Sequence, residues 1–151
     1  MGYRIQTAPP DEQQTTEPGL SVDNTKLDEY AALIGVNKTE LPALLKEEPV
    51  TVDEGGQEFI KNQIRVWFFY DNKVATVSQV YIMDSNITFS GIKIGEGIDQ
   101  FKKALGKPTA EDTSSASAYF KYGKLELQIS YDPATKKTFA AYLVDPEKIN
   151  L

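Results

Sequence analysis

Two segments of the sequence, 61 positions apart, share one pattern of apolar residues. Residues 64–71 read IRVWFFYD and residues 125–132 read LELQISYD, so both segments end in Tyr-Asp. An extended, self-similar pattern at a fixed offset indicates an internal duplication. The same offset relates three later pairs: Tyr81 and Tyr142, Ile82 and Leu143, and Asp84 and Asp145.

Each predicted repeat begins with helix and continues into antiparallel strands. Apolar residues at helical spacing predict a helix from Asn24 to Gly35, and a second short helix with Pro42 in its first turn. Asp99 opens a helix in the second repeat, and residues 111–117 are predicted as a loop. Runs rich in β-branched and aromatic residues predict strands over 57–60, 64–70 and 74–83, and over 118–122, 125–131 and 137–144.

These elements predict an α+β fold built from two tandem repeats. Each repeat consists of a short helix or helical hairpin followed by a three-stranded antiparallel β-meander. Residues 24–90 form the first repeat and residues 91–151 the second, within one compact unit. Residues 1–23 are polar and rich in Pro, Gln and Thr, which predicts a flexible N-terminal linker or tether.

The composition excludes several classes of function. The net charge of −6 argues against nucleic acid, because phosphate binding needs a basic surface. The chain has no cysteine and no histidine, which removes disulfides, thiolate metal sites and the commonest general base. No run of apolar residues is long enough to span a membrane. The sequence therefore predicts no cofactor, no metal site and no transmembrane segment.

Alternating polarity along residues 125–131 separates an inner face of the predicted sheet from an outer one. Leu127 and Ile129 should face the helices, whereas Gln128 should face outwards. The 61-residue offset carries this alternation into the first repeat and places Tyr70 on the inner face. The outer face then carries the predicted partner-binding residues, which are Arg65, Trp67, Phe69, Tyr81, Gln128 and Tyr142.

That outer face has two interpretations. Trp, Tyr and Arg are enriched at binding hot spots, so an open face with this composition would be a contact surface. Alternatively, the N-terminal helix or a second, stacked sheet covers the face, and Trp67 and Phe69 belong to the core.

The segment GIKIGEGIDQFKKALGKP at residues 91–108 carries a resemblance to a known family. It resembles the opening motif of β-lactamase-inhibitor-protein-like (BLIP-like) repeats, in which a Gly ends a helix and a Pro prevents its continuation. Such repeats also occur in YjgB-type lipoproteins of Gram-positive bacteria and in CAP-associated N-terminal domains. The resemblance covers roughly residues 33–145 in two copies. The first copy departs from the motif at residues 46–49, where the Gly is missing.

The resemblance implies a secreted or cell-envelope module that binds or inhibits, and it offers no catalytic residues. The leading hypothesis is a non-catalytic extracytoplasmic domain that binds another envelope protein through its exposed sheet face. A removed leader and a lipid anchor upstream of this sequence would fit that location. A second hypothesis is glycan or small-molecule binding on the aromatic platform. A third, an enzyme that uses the carboxylates of Asp71, Glu126 and Asp132, is disfavoured because turns after strands select Asp for backbone reasons.

Overall fold

Eight antiparallel strands form one continuous sheet in the computed structural model, which describes residues 24–148. The sheet confirms an α+β fold with extensive antiparallel pairing. The first four strands are β1 (Val50–Thr51), β2 (Gln57–Phe59), β3 (Ile64–Asp71) and β4 (Val74–Ile82). The last four are β5 (Ala110–Asp112), β6 (Ser117–Tyr122), β7 (Leu125–Tyr131) and β8 (Thr138–Val144).

The spatial order of the strands is β1-β2-β3-β4-β8-β7-β6-β5. Each half of the sheet is therefore a four-stranded meander, not the predicted three-stranded one. The additional strands, β1 and β5, lie at the two edges, and the last two residues of β5 were predicted as part of a loop. The halves join where β4 pairs with β8 through four residue pairs, one of which joins Tyr81 to Tyr142.

Three short α-helices accompany the sheet: α1 (Thr25–Ala31), α2 (Leu41–Leu45) and α3 (Ile98–Leu105). The predicted helices are present, and Pro42 lies in the first turn of α2, where its missing N–H costs little. Helix α1 ends earlier than predicted, and a turn connects it to Gly35. Single 3-10 turns occupy Lys38–Glu40 and Asp53–Gly55. The predicted tether at residues 1–23 lies outside the described residues.

All three helices contribute to a core on one face of the sheet. Leu27 of α1, Leu41 of α2 and Phe101 of α3 are fully buried together with the inner side chains of the strands. Phe59 and Phe120 hold corresponding places in β2 and β6, and both are also buried. The helices therefore cover the inner face, and within residues 24–148 neither α1 nor a second sheet covers the outer one.

The pairing at the centre of each half corrects the predicted register. Arg65 of β3 pairs with Tyr81, whereas Gln128 of β7 pairs with Tyr142. The equivalent positions of β3 and β7 are thus 63 residues apart (128 − 65), although Tyr81 and Tyr142 keep the offset of 61. The shift of two preserves which residues face the core, but it displaces the match between the Tyr-Asp sequences.

The shifted register explains why Tyr70 is exposed although it lies on the inner face of β3. Its structural counterpart is not the buried Tyr131, because the residue equivalent to Tyr131 is Phe68, which is also buried. Tyr70 lies two residues beyond Phe68, nearer the β3–β4 hairpin, and 53% of its surface is exposed. Its hydroxyl accepts a hydrogen bond from Lys38 at 3.4 Å. Tyr70 therefore lies on the inner face of β3, as Phe68 does, but it extends past the core and is exposed rather than buried.

Corresponding loops approach the sheet in the same way in both halves. The amide of Val77 donates to the carbonyl of Val36 at 2.9 Å, and the amide of Thr138 donates to the carbonyl of Glu96 at 3.0 Å. The residue before each accepting carbonyl is a glycine, with φ of +93° in one half and +108° in the other. Residues other than glycine rarely adopt these φ angles, so glycine allows the loop to turn onto the sheet.

Glu111 connects the β5 edge of the sheet to a helix and to a central strand. Its carboxylate lies 2.9 Å from Lys102 Nζ of α3 and accepts a hydrogen bond of 2.7 Å from the Tyr131 hydroxyl of β7. These contacts, the Tyr131 hydrogen bond first, hold the pKa of Glu111 below its ordinary value. The same hydrogen bond and the burial of the ring raise the pKa of Tyr131 to about 12.

We expect Glu111→Gln to reduce the free energy of unfolding by about 1 kcal/mol at pH 7, since the carboxylate is partly exposed and its ion pair is screened. Because the pKa of Glu111 is lowered on folding, its contribution is present above the ordinary pKa of 4.5 and is lost as the pH falls through the folded-state value. Urea titrations at several pH values should show the difference between wild type and variant shrinking in acid.

Glu29→Gln is the matched control, because the Glu29 carboxylate is mostly exposed and faces only Lys26 on the same helix. It should change the stability by no more than about 0.5 kcal/mol at either pH. A Glu111→Gln effect that stayed constant between pH 7 and pH 3 would contradict the assigned ion pair.

Candidate functional site

A row of polar and aromatic side chains crosses the outer face of the sheet from β2 to β6. Strand register places each member opposite the next, and all are half-buried rather than fully exposed. The row comprises Glu58, Arg65, Tyr81, Tyr142, Gln128 and Tyr119 in that order. Four of these six were predicted site residues, and we call the set the outer row.

The centre of the outer row is a pair of stacked tyrosines at the junction of the two halves. The rings of Tyr81 and Tyr142 lie 4.8 Å apart, at an angle of 25°. Burial, followed by the proximity of Tyr81, raises the pKa of Tyr142. The Tyr142 hydroxyl, like that of an ordinary tyrosine, is protonated at neutral pH and can donate a hydrogen bond.

Arg65 extends the row on the side of the first half. Its Nε donates a short hydrogen bond to the Glu58 carboxylate on the neighbouring strand, so its charge is already paired. The register places Arg65 directly opposite Tyr81. The pair of Glu58 and Arg65 adds little net charge to the face.

Trp67 lies two residues beyond Arg65, and a turn of the main chain holds its indole. Nε1 donates a hydrogen bond of 3.0 Å to the carbonyl of Asp53. A Cβ atom on Gly56 would lie 2.6 Å from Nε1, so only glycine permits this close approach. The turn at residues 53–56 therefore rises over the outer face and fixes one side of Trp67.

A groove of about 550 Å³ lies beside the fixed indole. The β3–β4 pairing skips Ser78, which forms a bulge in β4. This bulge marks one wall of the groove, since bulges bend a strand locally. Most of the lining is polar. The side chains that matter most to its chemistry are Glu54, Trp67, Gln79, Gln128, Tyr142 and Lys148.

The remaining predicted residue, Phe69, lies next to this groove. The ammonium group of Lys148 lies 5.9 Å from the centre of the Phe69 ring, within the range of a cation–π contact. The residues that follow β8 thus return to the outer face near β3.

The structure brings three predicted residues, Trp67, Gln128 and Tyr142, to one groove. Arg65 and Tyr81 flank them in the outer row, and Phe69 contacts Lys148. Sequence analysis missed Glu54, Gln79, Lys148 and Tyr119. Tyr119 could have been found from strand alternation, since Ala118 and Phe120 on either side are buried.

Two of the three carboxylates considered for catalysis, Asp71 and Asp132, are far apart in the fold. Asp71 pairs with Val74 at the β3–β4 hairpin, and Asp132 lies in the turn after β7. Strands β3 and β7 run in opposite directions, so these turns lie at opposite ends of the sheet. Asp132 accepts hydrogen bonds from the amides of Ala134 and Thr135, which is a backbone role. Among residues 24–148, no three acidic side chains form a group that could hold a metal ion.

Comparison with known proteins gives similarity in structure only. No protein-family model matches the sequence, and no curated protein matches it. A crystal structure of an extracellular protein containing an SCP domain from Bacillus anthracis aligns with 89% of this chain, at 16% identity and a TM-score of 0.52. A cysteine-rich secretory protein of Staphylococcus aureus aligns with 77% of this chain, at 16% identity and a TM-score of 0.47.

These neighbours are bacterial proteins of the SCP/CAP type. At 16% identity, the Bacillus anthracis alignment shows a similar fold and carries no information on chemistry. This chain spans about half the length of each neighbour, namely 49% and 46%. No helix within the described part of the chain combines the length and the apolar character needed to cross a membrane.

We expect Gly56→Ala to displace the Trp67 indole, because the new Cβ would overlap Nε1 and break its hydrogen bond to Asp53. Trp67 is the only tryptophan, so its emission maximum and acrylamide quenching report the displacement directly. The quenching constant should rise in the variant.

Gly97→Ala is the matched control, since its Cβ would meet nothing closer than a carbonyl at 3.9 Å. It should leave both Trp67 signals unchanged. Identical quenching in wild type and Gly56→Ala would show that the turn does not hold the indole.

Proposed function

We propose that this chain is a non-catalytic, extracytoplasmic binding domain that engages a partner protein through its outer sheet face. One observation carries the proposal: all three helices pack on the inner face, and the outer face presents an aromatic row beside a groove. Soluble domains usually cover or solvate such aromatic surfaces unless they contact a partner.

The proposed interface has the character of a protein-binding surface. Its centre is the stacked pair of Tyr81 and Tyr142, and Trp67 is held rigidly at one side by its turn. Rigid aromatic side chains lose little conformational entropy on binding, which favours affinity. Arg65 is already oriented by Glu58 and would keep that orientation in a complex.

We further propose that the two halves of the sheet are copies of one BLIP-like repeat, separated near residue 90. The mirrored strand order and the matching loop contacts of Val77 and Thr138 support this origin. The offset of 63 at β7 requires a shift of two residues in one copy after duplication. Such a shift keeps the same residues on the inner face, because strand side chains alternate with a period of two.

An extracytoplasmic location is part of the proposal. The Bacillus anthracis neighbour is described as extracellular, and the Staphylococcus aureus neighbour as secretory. The absence of cysteine and histidine, together with the separation of Asp71 from Asp132, supports a domain without catalysis. In this proposal the polar N-terminal segment connects the domain to an anchor upstream, such as a lipid.

A second candidate function is glycan binding. The observation that favours it is the polar lining of the groove, where Gln79 and Gln128 could bond to hydroxyl groups while Trp67 packs against a sugar ring. The outer row crosses six strands and extends beyond the groove, and this extent favours the protein partner.

We expect Trp67→Ala to weaken binding of the partner by a factor of about 30 or more, as for a hot-spot aromatic residue. The partner would be captured from envelope extract by chemical cross-linking, identified, purified, and titrated against wild type and variant. Tyr70→Ala is the matched control, because Tyr70 is an exposed aromatic residue at a hairpin away from the groove.

Equal affinity of the purified partner for wild type and Trp67→Ala would overturn the proposed interface. Loss of affinity in the Tyr70→Ala control alone would move the interface to the β3–β4 hairpin.

A further inference from the structure

We infer that the groove beside Trp67 receives a basic side chain of the partner protein, with Glu54 as its counter-charge. This inference rests on the proposed binding function and specifies the chemistry that the partner presents. The groove combines a carboxylate, aromatic rings and amide oxygens, and these are the groups that recognise guanidinium and ammonium ions.

Glu54 is presented to the groove by a fixed turn. Its backbone lies in the left-handed region, with φ of 61° and ψ of 29°, which is unusual for a residue with a side chain. The hydrogen bond from Trp67 to Asp53 holds the same turn against the sheet. Trp67, which forms the groove wall, thus sets the position of Glu54. Strained backbone of this kind often occurs at binding sites.

The Glu54 carboxylate is not committed to another charge. It is exposed, and it makes no ion pair within residues 24–148. It is the acid among the residues that line the groove, whereas Glu58 of the outer row already pairs with Arg65. Glu54 is therefore the carboxylate through which this groove can bind a new cation.

The rings and amides complete the site around the carboxylate. Trp67 and Tyr142 line the groove, and tryptophan is the strongest of the aromatic cation acceptors. The side-chain oxygens of Gln79 and Gln128 can accept hydrogen bonds that a guanidinium group donates. The net charge of −6 would also steer a basic partner towards this protein.

Lys148 is the positive charge that opposes a bound cation. It lines the same groove, and its ammonium group lies over the Phe69 ring. Its charge must therefore weaken the binding of a cationic ligand and strengthen the binding of an anionic one. Removal of the Glu54 charge and removal of the Lys148 charge should therefore change the affinity for a cation in opposite directions.

The experiment uses the only tryptophan as its reporter. The full chain is titrated with the blocked peptide acetyl-Gly-Arg-Gly-amide while Trp67 emission is followed, with acetyl-Gly-Glu-Gly-amide as the anionic probe. We expect Glu54→Gln to weaken binding of the arginine peptide about fivefold, and Lys148→Gln to strengthen it about twofold. Glu29→Gln, which removes an exposed acid on a helix of the other face, should leave the affinity unchanged.

Several outcomes would overturn the inference. Stronger binding of the glutamate peptide, with the effects of Glu54→Gln and Lys148→Gln reversed, would identify an anion site. A neutral glycan site would be identified by two results together. The arginine peptide would not bind, and a tri-N-acetylglucosamine probe would bind wild type, Glu54→Gln and Lys148→Gln with the same affinity. No response to any probe would remove the subsite.

The inference and the proposed function fail in different ways. If the purified partner still depends on Trp67 but is insensitive to Glu54→Gln, the interface stands and the cation subsite is wrong. If Trp67→Ala leaves partner affinity unchanged, the interface itself is wrong, whatever the peptides show.

Discussion

The pairing of β4 with β8 is the contact on which the rest of the structure depends. It joins two four-stranded meanders into one sheet through only four residue pairs, from Gln79 with Val144 to Ile82 with Ala141. Among these paired residues, Val80 and Leu143 pack into the core beneath the junction, and Tyr81 stacks on Tyr142 above it. Because each half alone would expose a strand edge there, the junction removes two edges at once and creates a single continuous outer face.

The outer face is shaped by one further constraint, the attachment of the 53–56 turn to Trp67. A glycine at position 56 lets the main chain approach the indole, and the Asp53 carbonyl accepts its hydrogen bond. This contact converts part of a flat sheet surface into a groove with a wall. It also explains why Trp67, although it points away from the core, is half-buried and held in place.

Much of the fold could be predicted because strand alternation and the residues that begin and end helices are local signals. The inward set of β7 and the outward positions of Trp67, Tyr81 and Tyr142 follow from a period of two, and Pro42 at a helix start follows from its missing N–H. The edge strands β1 and β5 were harder to predict, since they are only two and three residues long and owe their conformation to a neighbouring strand. The exposure of Tyr70 was missed because an offset in sequence does not reveal a register shift of two residues, which carries this position past the end of the core.

The sequence by itself determined which residues can face the core and which can face outwards, since alternation along each strand depends only on neighbours in the chain. The tertiary structure decided that the two halves share one sheet, that the helices leave its outer face open, and that Glu54 and Lys148 join Trp67 in a groove. These outcomes depend on contacts between distant parts of the chain; Glu54 and Lys148, which line the same groove, are 94 positions apart (148 − 54). No local pattern records such a pairing, because the free energy that favours it comes from burial and hydrogen bonding between distant segments.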